Sequence, residues 1–204
     1  MTDPCAQAVE RGDPARFRAT MAAPAAARVR LWPIYAFNLE CARAPWAARE
    51  PMLAEMRLQF WADLAEGTLS DYRHEVATPF AALMADLGPE ARALAGEIAR
   101  ARRHDCWPEP FADEPALIAY LDQTGGALMQ LAALSLGQGD DAARLAGRAL
   151  ALARYLQAVP DLEARGRFPL PDGRPQAVAA LARQGLQWLD QARSRARATP
   201  RAAL

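Results

Sequence analysis

Two apolar stripes leave this chain little choice of architecture. Leu117, Leu121, Thr124, Leu128 and Leu131 recur at intervals of four, three, four and three, and Leu145, Ala149, Leu152, Leu156 and Val159 repeat the pattern. That period gathers each set on one side of an α-helix. Each side is too apolar to face water, so the helices must pack on one another or on further helices. The expectation is an all-α fold, a single-domain helical bundle. Composition supports this: 52% of residues are hydrophobic, Ala and Leu dominate, and β-branched residues are few, a bias that favours helix over strand. A length of 204 residues is enough for one sizeable core. There is no alternating strand pattern, internal repeat or second domain.

Prolines and cap residues mark the boundaries. Asp3-Pro4 and Asp13-Pro14 each read as an N-cap followed by Pro in the first turn. A third helix is predicted over 25–43, with Leu31, Ile34, Phe37 and Cys41 on one face and Pro33 marking a kink or a later start. Pro45 ends it. Glu50-Pro51 opens a helix that stops at Gly67, Thr78-Pro79 caps another, and Pro89 starts one that ends near Asp105. Three prolines make 106–115 a loop, and Pro160 is expected to stop the helix before it. After a loop over 161–175, a last helix passes Leu181, Leu186 and Leu189. Residues 1–192 form the expected domain, and 193–204 a basic, flexible tail that suits anionic lipid or simply solvent.

Several function classes are excluded at this level. Arginine and lysine together equal aspartate and glutamate at 24 each, so nothing in the charge balance points to nucleic acid. All the cations are arginine. Without lysine there is neither a Walker phosphate loop nor a Schiff-base lysine. Cys5, Cys41 and Cys106 form no paired framework, and His74 and His104 lack partners at zinc-site spacing. The serines, Ser70, Ser135 and Ser194, lie in no nucleophile elbow. No apolar run reaches the ~20 residues of a membrane span. The expected location is cytoplasmic, with peripheral contact on the inner face of the membrane.

An ordered series of short segments then carries a resemblance. Asp13-Pro14-Ala15-Arg16-Phe17, Pro24, Arg28 and Tyr35-Ala36-Phe37 come first, followed by Asn38-Leu39-Glu40, Glu50-Pro51-Met52-Leu53 and Arg57-Leu58-Gln59-Phe60-Trp61. Asp105, Tyr120, Thr124-Gly125-Gly126-Ala127-Leu128-Met129, Arg165-Gly166-Arg167 and Leu170-Pro171 complete it. No one segment is decisive, but the order resembles the squalene/phytoene synthase family, in a divergent bacterial branch. The resemblance implies an isoprenoid (terpenoid) synthase bundle, here shortened at its C-terminal end. It also implies two facing clusters of metal-binding acids. At the first cluster this chain has Ala42, Arg43 and Trp46, and at the second Arg154, Ala158 and Leu162; Gln157 stands where the enzymes carry an arginine. Magnesium needs hard oxygen ligands in a demanding geometry. Glu40 lies two residues from Ala42, about 200° round the helix, and Asp161 and Glu163 lie beyond Pro160.

The resemblance therefore implies a pseudoenzyme without cofactors. It would bind an isoprenoid or another lipid, a partner protein, or both, in the manner of the family's respiratory complex I assembly factor. The alternative is a prenyl transferase that condenses two prenyl diphosphates head to head, for which magnesium would be the cofactor. The candidate anion- and lipid-binding cleft comprises Arg28, Tyr35, Arg43, Arg154 and Gln157, with Tyr120, Gly125, Gly126 and Met129 lining the cavity. Arg43 and Arg154 either meet across that cleft or lay their stems on the surface with their charges in water. Asp105 is expected to bind Arg102 or Arg103, or to cap the following loop. Tyr120 reads equally as core, and Gly125-Gly126 serves either close helix packing or passage of a ligand chain. Trp46 is expected to plug the old cleft, and Trp61 and Trp188 to lie in the core or an interface.

Overall fold

The computed structural model describes residues 3–48, 50–138 and 141–198, and among these it contains helices and loops but no strand. The helices are α1 (Pro4–Gly12), α2 (Pro14–Met21), α3 (Ala25–Arg43), α4 (Pro51–Glu66), α5 (Ala77–Leu87), α6 (Pro89–Ala101), α7 (Glu114–Leu121), α8 (Ala127–Ser135), α9 (Asp141–Ala164) and α10 (Pro175–Ala198). Single 3₁₀ turns follow α3 (Ala44–Trp46) and α6 (Arg102–Cys106), and a π-helical turn (Asp122–Gly126) joins α7 to α8. The aspartate caps are real. Asp3 accepts from the Cys5 amide at 2.8 Å, Asp13 from Arg16 at 3.0 Å and Asp113 from Ala116 at 2.8 Å.

Buried side chains fall into two clusters. The larger joins α1, α3, α4, α5, α6 and α8, with Phe37 stacked on Phe80 at 4.2 Å and met edge-on by Trp61 at 5.8 Å. The smaller joins α7, α9 and α10 around Leu117, Leu121, Leu152 and Trp188. Here α9 and α10 run antiparallel, because their contacts step in opposite directions along the two chains. Asp141 pairs with Arg195 at 3.7 Å, Arg148 lies 4.1 Å over the Trp188 ring, and Leu152 packs at Gly185. The seam on α10 is Leu181, Gly185, Trp188 and Ala192, at intervals of four, three and four, while Leu186 is exposed.

Some boundaries differ from the sequence reading. Pro160 does not stop α9. It sits on an exposed face one turn from the end, so it forfeits a single backbone bond, and the helix runs on to Ala164. The stop comes from Gly166 at φ +75°: its amide bonds to Glu163 O at 2.9 Å, and the Arg167 amide to Leu162 O at 3.0 Å, a left-handed glycine cap. The loop thus covers 165–174 rather than 161–175. Pro33 likewise lies within an unbroken α3. Thr78 is not a cap, since α5 already starts at Ala77. The expected tail at 193–204 is helical as far as Ala198, and 199–204 lie outside the described residues.

Candidate functional site: an arginine-lined cleft between the two cores

The two clusters meet along a cleft whose floor is α9. One face of α9 packs on α10; the other presents Gly147, Leu150, Ala151, Arg154 and Tyr155 to a cavity of about 210 Å³. Across it stand Arg16 from α2, Tyr35 and Asn38 from α3, Arg102 after α6, and Leu128 and Met129 from α8. Leu121, Leu128, Met129 and Leu150 give it apolar wall, and three guanidinium groups line it together with Tyr35, Asn38, Tyr120, Thr124 and Tyr155.

Asp13 governs the mouth of this cavity. Besides capping α2, its carboxylate accepts from Arg154 Nη1 at 2.7 Å and lies 3.6 Å from Arg16 Nη1. Burial pushes the Asp13 carboxyl up, but the bonds from Arg154 and the Arg16 amide, with both positive charges, pull harder and hold it below the ordinary aspartate range. Arg16 shows the opposite strain. Burial lowers its pKa, Asp13 raises it, and the neighbouring charges of Arg154 and Arg102 lower it again. The Arg16 guanidinium also lies 4.9 Å over the Tyr35 ring. Counting Asp105 behind Arg102, three arginines face two carboxylates, which leaves one excess cation.

Arg102, Tyr120 and Tyr155 form a wall shared with a second cavity of about 180 Å³. The wall is tied by hydrogen bonds. Arg102 Nη1 donates to the Tyr120 hydroxyl at 2.6 Å and to Asp105 Oδ2 at 3.1 Å, and Tyr120 donates to the same oxygen at 2.8 Å. Burial drives the Tyr120 hydroxyl well above its ordinary pKa, only partly offset by Arg102, so it remains a neutral donor. Tyr155 donates to Pro169 O at 2.9 Å. The second cavity is aromatic: Trp46, Trp107, Phe111 and Phe168 line it beside His104 and Arg167. His104 stacks on Phe111 at 3.9 Å, and burial lowers its pKa.

The candidate residues separate accordingly. Tyr35, Tyr120, Gly125, Met129 and Arg154 line the first cavity together. Arg43 does not join them. It lies 4.0 Å from Glu40 and lines a different hollow, with Phe60, Trp61 and His74. Arg28 donates to Ala23 O at 2.8 Å at the start of α3, and Gln157 is exposed on α9. Gly126 is buried under Arg144, while Gly125 both lines the cavity and presses on α9. Trp46 is 43% exposed at the rim of the second cavity rather than buried in it, with Arg165 and Arg167 over its ring at 4.9 and 5.3 Å. Trp61 and Trp188 are buried. Arg16 and Arg102 were not singled out by the sequence. The only signal for Arg16 was its place after Asp13-Pro14, and Arg102 showed only as a neighbour of Asp105.

The positions to which the resemblance assigns the family's acids are also found in the structure. Arg154 lines the first cavity; Trp46, Ala158 and Leu162 line the second. Ala42, Arg43, Trp46, Arg154, Ala158 and Leu162 offer no side-chain oxygen, and among the described residues no group of three His, Cys, Asp or Glu side chains is placed to hold a metal. Asp161 and Glu163, although on the continued helix, are exposed and line neither cavity. The residues present do not fit a magnesium cluster.

An all-α molecule with its cleft between two helical cores is the architecture expected of the isoprenoid synthase type. The family model for squalene/phytoene synthase matches residues 9–195, and the chain belongs to that family. No curated protein matches it.

Proposed function

We propose that this chain is a non-catalytic member of its family that binds an anionic amphiphile, an isoprenoid phosphate or a phospholipid, without turning it over. The reading rests on one observation: Arg16, Arg102 and Arg154 line one cavity with Leu128, Met129 and Leu150. Guanidinium groups recognise phosphate oxygens directly, with no bridging metal, and the apolar wall suits the first carbons of a tail. Ionising a prenyl diphosphate requires the departing charge to be stabilised, and losing even one such preorganised donor costs about 10²–10³ in rate. Here the side chains at both acid clusters are of the wrong chemistry. By analogy with the family's non-catalytic branch, the biological role would be in assembling a respiratory membrane complex.

The test is calorimetric titration with farnesyl monophosphate in the presence of EDTA. The wild-type chain should bind. Arg154→Ala and Arg16→Ala should each weaken binding about tenfold or more, the loss of a charge-assisted hydrogen bond, and Arg43→Ala should leave it unchanged. Absence of binding, or equal loss in all three variants, would sink the proposal. Release of diphosphate from farnesyl diphosphate with magnesium would revive the alternative, and a product joining two farnesyl chains would establish the head-to-head prenyl transferase instead.

A further inference from the structure

The second cavity opens on an unusual surface. Several of the exposed large apolar side chains among the described residues border this cavity and the hollows beside it. Phe168 is 71% exposed, and Trp46 and Trp107 are 43% and 40% exposed, all on the rim of that cavity. A neighbouring hollow shares Trp46, Pro108 and Arg167 with that cavity, adds Arg165, and extends the surface to Ala48 and Pro51. Ala48 in turn borders the hollow lined by Leu53 and Met56, themselves 48% and 64% exposed. The patch is therefore continuous, and three separate segments each raise an aromatic ring on it: the turn after α3, the loop after α6 and the loop after α9.

The charges on this surface are arranged in a particular way. The glycine cap at Gly166 lies between Arg165 and Arg167, both of which approach the Trp46 ring, and among the described residues neither makes an ion pair with a carboxylate. Arg167 instead donates to the carbonyls of Trp107 and Asp105, which fixes the two loops together. Of the nearby acids, Glu55 accepts from the Trp107 indole at 2.7 Å, and Glu109 lines the cavity. Indole rings carrying an apolar body and a polar N–H, next to arginines without acidic partners, suit the headgroup layer of an anionic bilayer. An apolar patch of this kind marks an interaction surface.

We infer that the Trp46–Trp107–Phe168 face docks on anionic lipid bilayers, with Arg165 and Arg167 at the phosphates and the mouth of the second cavity turned to the lipid. The source of an amphiphile for the cleft would then be the membrane itself. This step goes beyond the ligand-binding reading and fails separately from it.

Co-sedimentation with vesicles of phosphatidylcholine, with and without phosphatidylglycerol, provides the test. The wild-type chain should sediment with the phosphatidylglycerol vesicles and far less with phosphatidylcholine alone. The double variant Phe168→Ser with Arg165→Gln should lower partitioning roughly tenfold or more, with an unchanged circular dichroism spectrum because both side chains are exposed. Leu186→Ser, an exposed apolar change on α10, should behave as wild type. Wild-type protein that stays in the supernatant, binding that ignores phosphatidylglycerol, or an equal loss in Leu186→Ser would overturn the inference. Self-association abolished by Phe168→Ser, without vesicle binding, would make the face a protein interface and overturn it too.

Discussion

Asp13 caps α2 and holds two arginines with the same carboxylate, so a bound phosphate must compete with it. Asn caps a helix about as well as Asp. Asp13→Asn should therefore keep α2 intact while freeing Arg154 and Arg16, and farnesyl monophosphate should bind about tenfold tighter in the same calorimetric assay. Unchanged or weaker affinity would show that Asp13 positions the arginines rather than competing for them. The cap itself was legible, since Asp-Pro before a helical run has a local cause. Its second role was not. Arg154 lies 141 residues away in sequence, and no local pattern announces a partner at that distance. The same holds for Arg43: its position in the family motif suggested the cleft, but in the fold it lines a different hollow, beside Phe60 and Trp61.

At the level of elements, the π-helical turn before α8 meets α9 through backbone, at Gly125 and Gly147. A Cβ on Gly125 would collide with the Cβ of Ala151 and come within 2.9 Å of Gly147 O. Backbone cannot yield as a side-chain tip can, so Gly125→Ala should destabilise the protein by about 1–3 kcal/mol, read as a lower urea midpoint at unchanged slope. A midpoint equal to wild type would mean that the two helices are not held this close. The helices themselves were largely readable, because apolar spacing, aspartate caps and terminal glycines are local signals. The π turn was not, since Leu117, Leu121, Thr124 and Leu128 keep a helical spacing through it. Pro160 misled for a related reason: what a proline does depends on how much helix follows and which side faces water.

For the molecule as a whole, the larger core encloses all three thiols. Cys5, Cys41 and Cys106 are free and buried. Burial, followed by nearby carboxylates, pushes Cys5 up to about 12 and Cys106 up to about 11, and burial drives Cys41 up as well. At pH 8 each remains a protonated thiol, so a disulfide reagent should modify the native protein many-fold more slowly than the denaturant-unfolded chain. One rapidly reacting thiol in native protein would contradict this packing. Family and fold class could be read from ordered motifs spread over the chain, whereas the charge and shape of the cleft depend on how two cores close on each other. The π turn governs that closure. Because each residue of an α-helix advances the chain by about 100°, removing a single residue between 122 and 126 would be a phase error: everything before it would rotate against everything after it, and Arg102 and Tyr120 would no longer share a cavity with Arg154 and Tyr155. Residues 107–113, by contrast, carry no helical phase to lose.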